Sequence, residues 1–557
     1  MANFLKGMNT KMPRQYHHNS RLKALCAQYR SGRCTRREFL RIAALLGYAT
    51  IAGGYGSKVL APRPAQAAIY GDKLRIAGLL PRVQYPSGLR PQATNQALRQ
   101  VFEYLTFTDA NNHTHPKLLE RWEVSEDLKT WSLHIRKNVF FNNGQALTSD
   151  DVVFSMRQWL NENNHTPMKS ILGDYLAFAN IERVDPYQIK LYLNRPEIAV
   201  PEHLSHPSAL IMNHRTFEGD ILAAPHGTGP YRIDTFEENI RCLLKRRYDY
   251  WQPGLPFLNE IEFLDLGRNL TSRVSALKNR SVDLIDLSDL DSTRAYGILK
   301  SQRTIQLSPV VTAKANVLRM RVDRSPWTDN RVRKALKLCQ HREKIRHLAH
   351  LGQGTLANDF HVSPAHPEYC HKAPHKFDPR RAKLLLEEAG YPQGLDAHMT
   401  IPEGRLDIQT HALVIQGDAA RAGFRIHLQE VRAHEYHRNR TEFDLAITPW
   451  PHFPMGITAL QLSLHMETDD LPGPWNETRW HDEEFSQLTA QAAQTLDLIE
   501  RKKIFCKLEE IQMNRGAIGI AYWQNSWIAA NKRVQNIQTY PNDHLHLARV
   551  WVKPKRK

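Results

Sequence analysis

Segments with a two-residue apolar period alternate with segments of helical period along most of this 557-residue chain. That order constrains the fold more than any other feature. Alternating strands and helices build mixed α/β layers, not a helical bundle or a β-sandwich. Residues 73–80, 130–135, 188–193, 231–233, 282–285 and 316–322 read as strands. Residues 95–104, 273–278, most of 327–350 and about 498–511 read as helices. Thr148 suits the cap of a helix over 150–160, with Asp151 completing a capping-box-like pair and Val152, Val153 and Met156 inward. The clearest helix opens at Asp378-Pro379 and stops before Gly390, which suits the left-handed position beyond a helix end. Leu384, Leu385 and Ala389 are expected to form its buried face.

Ahead of the first strand, Thr35-Arg36-Arg37-Glu38-Phe39-Leu40-Arg41 introduces an apolar run from Ile42 to about Gly56. The run is shorter than the roughly 20 residues a spanning helix needs, and four glycines interrupt it. It leads to the small-x-small site Ala65-Gln66-Ala67. This is the layout of a twin-arginine export signal, cleaved near Ala67. The expectations are a periplasmic protein exported folded, and a transient encounter with the twin-arginine translocase.

The signal also explains the charge. The chain carries +18 overall, and residues 1–67 hold twelve Lys or Arg against Glu38, so +7 remains on the other 490 residues. Most of the basic excess that suggests nucleic-acid binding is therefore removed, and no nucleic-acid partner is expected. Of six cysteines, Cys26 and Cys34 fall in the signal. Cys242, Cys339, Cys370 and Cys506 remain, and three full pairings are open to them in an oxidising compartment.

The run from Leu119-Glu120-Arg121-Trp122 through Asp127-Leu128-Lys129-Thr130-Trp131 resembles the hallmark segment of the family 5 solute-binding proteins of ABC importers. So do Asn138-Val139-Phe140-Phe141-Asn142-Asn143-Gly144 and Thr148-Ser149-Asp150-Asp151-Val152-Val153-Phe154-Ser155. Gly227-Thr228-Gly229-Pro230-Tyr231, Arg247-Tyr248-Asp249-Tyr250-Trp251 and Ala389-Gly390-Tyr391-Pro392 follow in the family's order. The resemblance implies an α/β, two-lobed periplasmic binding protein fold of the class II, cluster C type. Lobe I would take 68–312, with an extra subdomain at about 113–226. Lobe II would take 313–521, and 522–557 would return to lobe I and end in a basic tail. It also implies no enzyme activity, no resident cofactor or metal, a monomer, and a peptide-like or other small organic ligand delivered to permease subunits.

A receptor needs aromatic walls and a few fixed polar groups rather than a nucleophile. Trp450, His452 and Phe453 in one segment, and Trp475, Asn476 and Glu477 in another, are the candidates. For the tryptophans the alternative is core packing. The family's peptide receptors often carry an acid soon after the first tryptophan, which binds a peptide amino group. No acid stands at 451–456 here, and Glu477 is the candidate substitute. Arg321 stands where the resemblance implies a small amide. It could hold a ligand carboxylate, or simply form a salt bridge.

Imidazole suits nickel, copper and zinc. The pairs His113/His115, His203/His206, His347/His350 and His544/His546 nevertheless read as scattered surface histidines lacking a carboxylate or cysteine at ligand spacing. A receptor for a metal chelate or haem stays as an alternative. So does an exported cofactor-dependent enzyme, although GxSxG, HExxH and Gly-rich phosphate loops are all missing.

Overall fold

The computed structural model describes residues 70–83, 93–164, 166–287, 292–466 and 471–554. The arginine pair, its apolar run and the cleavage site lie outside these residues. Among the described residues no helix is long and apolar enough to cross a membrane.

One 11-stranded sheet runs through the molecule. Its order is Phe424–Val431, Leu395–Pro402, Leu445–Trp450, Ile305–Met320, Ile518–Asn531, Leu284–Ile285, Lys73–Gly78, Glu260–Asp265, Arg241–Arg246 and Tyr231–Glu237, with Thr355–Leu356 paired to Ile518–Asn531. The two longest strands, Ile305–Met320 and Ile518–Asn531, pair antiparallel and span both halves of the sheet. Their register breaks between Val311 and Ala315 and again before Val317. On one side of that break Ile305 and Ala529 enter a core with Leu277 and Leu299. On the other, Leu318 and Met320 enter a separate core with Leu336, Ile415 and Phe424. Two apolar cores joined by two strands with an irregular register between them can move relative to each other more easily than one continuous core.

A second, four-stranded sheet of Leu119–Val124, Thr130–Ile135, Gln188–Tyr192 and Ile181–Asp185 is covered by the helix Ser149–Leu160. Trp122, Trp131, Val152 and Met156 fill the space between them. Asp151 accepts a 2.9 Å bond from the Thr148 backbone N–H, as the capping pair requires. The turn between the first two strands places Leu128 in the left-handed region at φ 60°.

The glycine and arginine motifs have a structural job. A Cβ at Gly227 or Gly229 would fall 2.0 or 2.5 Å from carbonyl oxygens of the helix Ala93–Val101, so only glycine allows this approach. Buried Arg247 then donates to the carbonyls of both glycines at 3.2 Å. Beneath them buried Glu103 collects Tyr250 OH, the Trp251 indole and Lys117 at 2.7–2.9 Å.

The helix at Asp378 begins as expected, with the Asp378 carboxylate accepting from Arg381 N at 2.9 Å and Gly390 at φ 95°. Its buried face differs. Ala382, Leu385 and Leu386 are buried and Leu384 is half exposed. Positions 382, 385, 386 and 389 form the three-and-four-residue stripe of a helix, and 384 falls outside it. The stretch 327–350, expected to be mostly helical, holds two helices, Asn330–Leu338 and Arg342–His350. A buried ion pair of 2.6 Å between Arg342 and Asp359 anchors the second. The disulfide is Cys370–Cys506, while Cys242 and Cys339 are buried thiols.

Candidate functional site

The strand Leu445–Trp450 pairs with the long strand Ile305–Met320 and ends opposite Ala315, beside the register break. That places residues 450–453 where the two halves meet. Trp450 is buried against Ala315, Val317 and Trp523. Its indole N–H donates to Glu477 Oε2 at 3.2 Å. The His361 ring stacks on it at 4.0 Å, and Trp475 meets it edge-on at 5.0 Å. Phe453 lies 6.2 Å from Trp475 on the same cluster. The Arg440 guanidinium sits 4.1 Å over the Trp475 ring and reaches Glu477 Oε1 at 3.8 Å. The fold thus unites Trp450, Phe453, Trp475 and Glu477 from two distant segments. They are packed on one another, and the cavity between them is only about 10 Å³, room for one water at most. A cavity of about 400 Å³, lined by Arg136, Lys137, Trp251 and Arg549 among others, shares no residue with this cluster.

His452 points the other way, toward the first half. Its Nδ1 accepts from Ala313 N at 3.1 Å, so Nε2 carries the proton and donates to Asn112 Oδ1 at 3.0 Å. Asn112, at φ 64° in the loop of the hairpin formed by Thr106–Thr108 and Thr114–Pro116, also donates to Ala365 O and Pro454 O. His366 stacks parallel to His452 at 5.8 Å and bonds Phe453 O at 2.8 Å. Further contacts between the halves come from Gln461 to Glu197 at 2.8 Å and from an ion pair between Lys314 and Asp543.

Two candidates lie elsewhere. Asn476 is a loop staple whose Oδ1 accepts from Arg479 N at 3.1 Å. Arg321 is buried just past Met320, the last residue of the long strand, with its guanidinium engaged by Asp323 at 2.6 Å and Glu442 at 3.2 Å. The salt-bridge alternative describes this geometry, and Arg319 is the arginine that lines the tryptophan cavity.

The histidines are a correction to the sequence reading. His203, His350 and His544 are buried, not scattered on the surface. Burial holds His203 down at about 3 and His350 at about 4. Burial, then the nearby Arg99, pushes His544 well below its usual range, and Arg99 donates to its Nε2 at 2.9 Å. His203 crosses between the halves, sharing hydrogen bonds with Tyr175 at 2.8 Å and Thr458 at 2.9 Å. The His113/His115 pair does have a carboxylate beside it: Asp109 lies 3.6 Å from His113 Nδ1 and 3.1 Å from His115 Nε2. Burial alone would raise the Asp109 carboxyl, but bonds from both histidines hold it well below the carboxylate range.

Asn112, His361, His366 and Arg440 were not found from sequence. Each acts through a partner at least several dozen positions away, and no spacing rule reports that. The Asn111-Asn112 turn dipeptide was the one visible signal.

Two apolar cores joined by long crossing strands, with aromatic and polar side chains facing across the junction, define a two-lobed periplasmic binding protein fold. The chain belongs to the bacterial extracellular solute-binding proteins of family 5, whose sequence model matches residues 113–462. It is 27% identical over 315 residues to the glutathione-binding protein GsiB of Escherichia coli K12, a match covering 55% of this chain and 60% of that relative's length. Its fold is similar to that of HbpA2 from Haemophilus parasuis (TM-score 0.73, 24% identity, 87% of this chain and all of that one). It is also similar to DppA from Helicobacter pylori in complex with the peptide STSA (TM-score 0.72, 19% identity, 87% and 99%).

Proposed function

We propose that this protein is the substrate-binding component of an ABC importer, taking a peptide-like or other small organic ligand between its lobes and presenting it to a membrane permease. Family membership supports the transport role. The observation that carries the binding mode is the His452–Asn112 contact, a polar bridge beside the register break; the halves also share an apolar cluster in which Leu128, Ile198 and Ala199 meet Phe360, Leu460 and Phe505. The lobes we assign are 68–312 with 522–557, and 313–521, with 113–226 as the extra subdomain. The register break at 311–317 supports the hinge position.

The ligand-facing residues we propose are His452, Phe453 and Trp475, with Trp450 and Arg440 against the Trp475 ring and Glu477 bonded to both of them. Arg321 is left out, because it lies outside the tryptophan cluster and pairs with Asp323 and Glu442. In the closed form the tryptophan cavity holds at most one water, so ligand entry requires the lobes to part or Trp475 to swing out.

Cytoplasmic folding followed by twin-arginine export to the periplasm belongs to the same reading. Arg36→Lys combined with Arg37→Lys should abolish export, and undiminished periplasmic yield would overturn that part. For the binding role, the protein is purified from its host and examined by native mass spectrometry, then titrated with glutathione and short peptides. One bound small molecule per chain, with no turnover, is expected. A co-purifying flavin or metal cluster, or catalytic conversion of the ligand, would overturn it.

A further inference from the structure

We propose that Asp109, His113 and His115 form a site for one imidazole-preferring divalent cation, Zn²⁺ or Ni²⁺, on the hairpin that reaches across the lobes.

The backbone sets the geometry. Thr106–Thr108 and Thr114–Pro116 pair antiparallel, with Phe107 opposite His115 and Thr108 opposite Thr114. Five residues, 109–113, close the hairpin. Asp109 Oδ1 accepts from the backbone N–H groups of Asn111 at 2.9 Å and His113 at 2.8 Å, an Asx-type turn. This orientation leaves Oδ2 facing both imidazoles, 3.6 Å from His113 Nδ1 and 3.1 Å from His115 Nε2. One ligand atom from each of the three residues lies within 4.8 Å of the others.

Those separations match a shared cation. Metal–nitrogen and metal–oxygen bonds of about 2.0–2.2 Å at right to tetrahedral angles put neighbouring donors about 2.8–3.6 Å apart, a range that includes both carboxylate–imidazole distances. Two imidazoles and one carboxylate suit zinc or nickel and leave positions open for water or a ligand group. The Phe107 ring stacks on His115 at 5.6 Å and orients it. Side-chain exposures of 24%, 11% and 29% for Asp109, His113 and His115 leave a route from solvent.

The site has a structural consequence. Asn112 lies within the ligand-bearing loop and bonds His452, Ala365 O and Pro454 O in lobe II. A cation that fixes 109–115 also fixes the loop that meets the second lobe.

The test is titration of the chelator-treated, untagged full chain with Zn²⁺ by calorimetry, and with Co²⁺ followed by its visible absorption. Three variants accompany the wild type. Asp109→Asn keeps the acceptor for the turn and removes the anionic ligand, His115→Gln removes an imidazole, and His481→Gln changes a histidine that is 73% exposed elsewhere. One cation per chain is expected, weakened about tenfold or more in Asp109→Asn and His115→Gln and unchanged in His481→Gln. Circular dichroism should be the same for all four proteins. No binding by the wild type would overturn the proposal. So would unchanged affinity in His115→Gln, or an equal loss in His481→Gln.

Discussion

His452 and Asn112, 340 positions apart in sequence, share a 3.0 Å hydrogen bond that joins the two lobes. The proton sits on His452 Nε2 because Nδ1 is occupied by the Ala313 N–H. Asn112 adds two bonds to lobe II carbonyls.

Removing the Asn112 side chain should therefore open the cleft. Buried neutral hydrogen bonds contribute about 1 kcal/mol each, so Asn112→Ala should shift closure by about 2–3 kcal/mol. Small-angle scattering of the ligand-free protein should show a larger radius of gyration than wild type, with Asn112→Ser between them. An unchanged radius would mean that the contact does not hold the lobes together.

The two tryptophans should separate. Trp450 is buried among Ala315, Val317 and Trp523, and Trp450→Ala should cost about 3–5 kcal/mol of stability. Trp475 is only partly buried, and Trp475→Ala should cost about 1–2 kcal/mol while weakening ligand capture more than Trp450→Phe does. Denaturation curves and ligand titrations on the same three variants check both statements.

Acid should destabilise the protein before its carboxylates titrate. Burial holds His203, His206, His361 and His546 at about 3, and His350 and His411 at about 4. In the unfolded chain each titrates near about 6.5. These folded values are depressed, so their stabilisation is complete above about pH 6.5. It declines as pH falls toward the folded values, because only the unfolded chain takes up the protons. Melting temperature should drop steadily from pH 7 to pH 4 in calorimetry. A flat profile over that range would contradict the burial of these rings.

Glu509 gives the opposite sign. Burial, offset in part by Lys372 and by a hydrogen bond from Asn358, pushes its carboxyl up to about 7. A raised folded value means its contribution is present at low pH and is lost as pH rises through about 7. Glu509→Gln should be nearly neutral at pH 5 and stabilising by about 1–3 kcal/mol at pH 8. Equal effects at both pH values would rule out this account.

Much of the fold was legible in the residues themselves. Local rules decide where a helix starts and stops, so Asp378, Pro379 and Gly390 announced their helix, and Thr148 with Asp151 announced another. The family motifs were equally visible, and the structure shows why: Gly227 and Gly229 are required by backbone contact, and Arg247 by the carbonyls those glycines expose. Leu384 and Leu386 are two positions apart, about 200° around a helix, so the stripe through Ala382 and Leu385 takes in Leu386 and leaves Leu384 out. The sixteen-residue length of Ile305–Met320 went unseen because its apolar alternation breaks where its register shifts.

What sequence alone determined about this protein is its class: alternating α/β units and family motifs in order. Tertiary structure decided what those residues face. It placed Trp450 in a core, Arg321 in a salt bridge, His452 against Asn112, and Asp109 beside two histidines. It also formed Cys370–Cys506 and left Cys242 and Cys339 as thiols, so none of the three full pairings is realised. Local propensity is set by neighbours within a few residues. A site is set by contacts between segments hundreds of residues apart, and only the folded chain brings those within bonding distance.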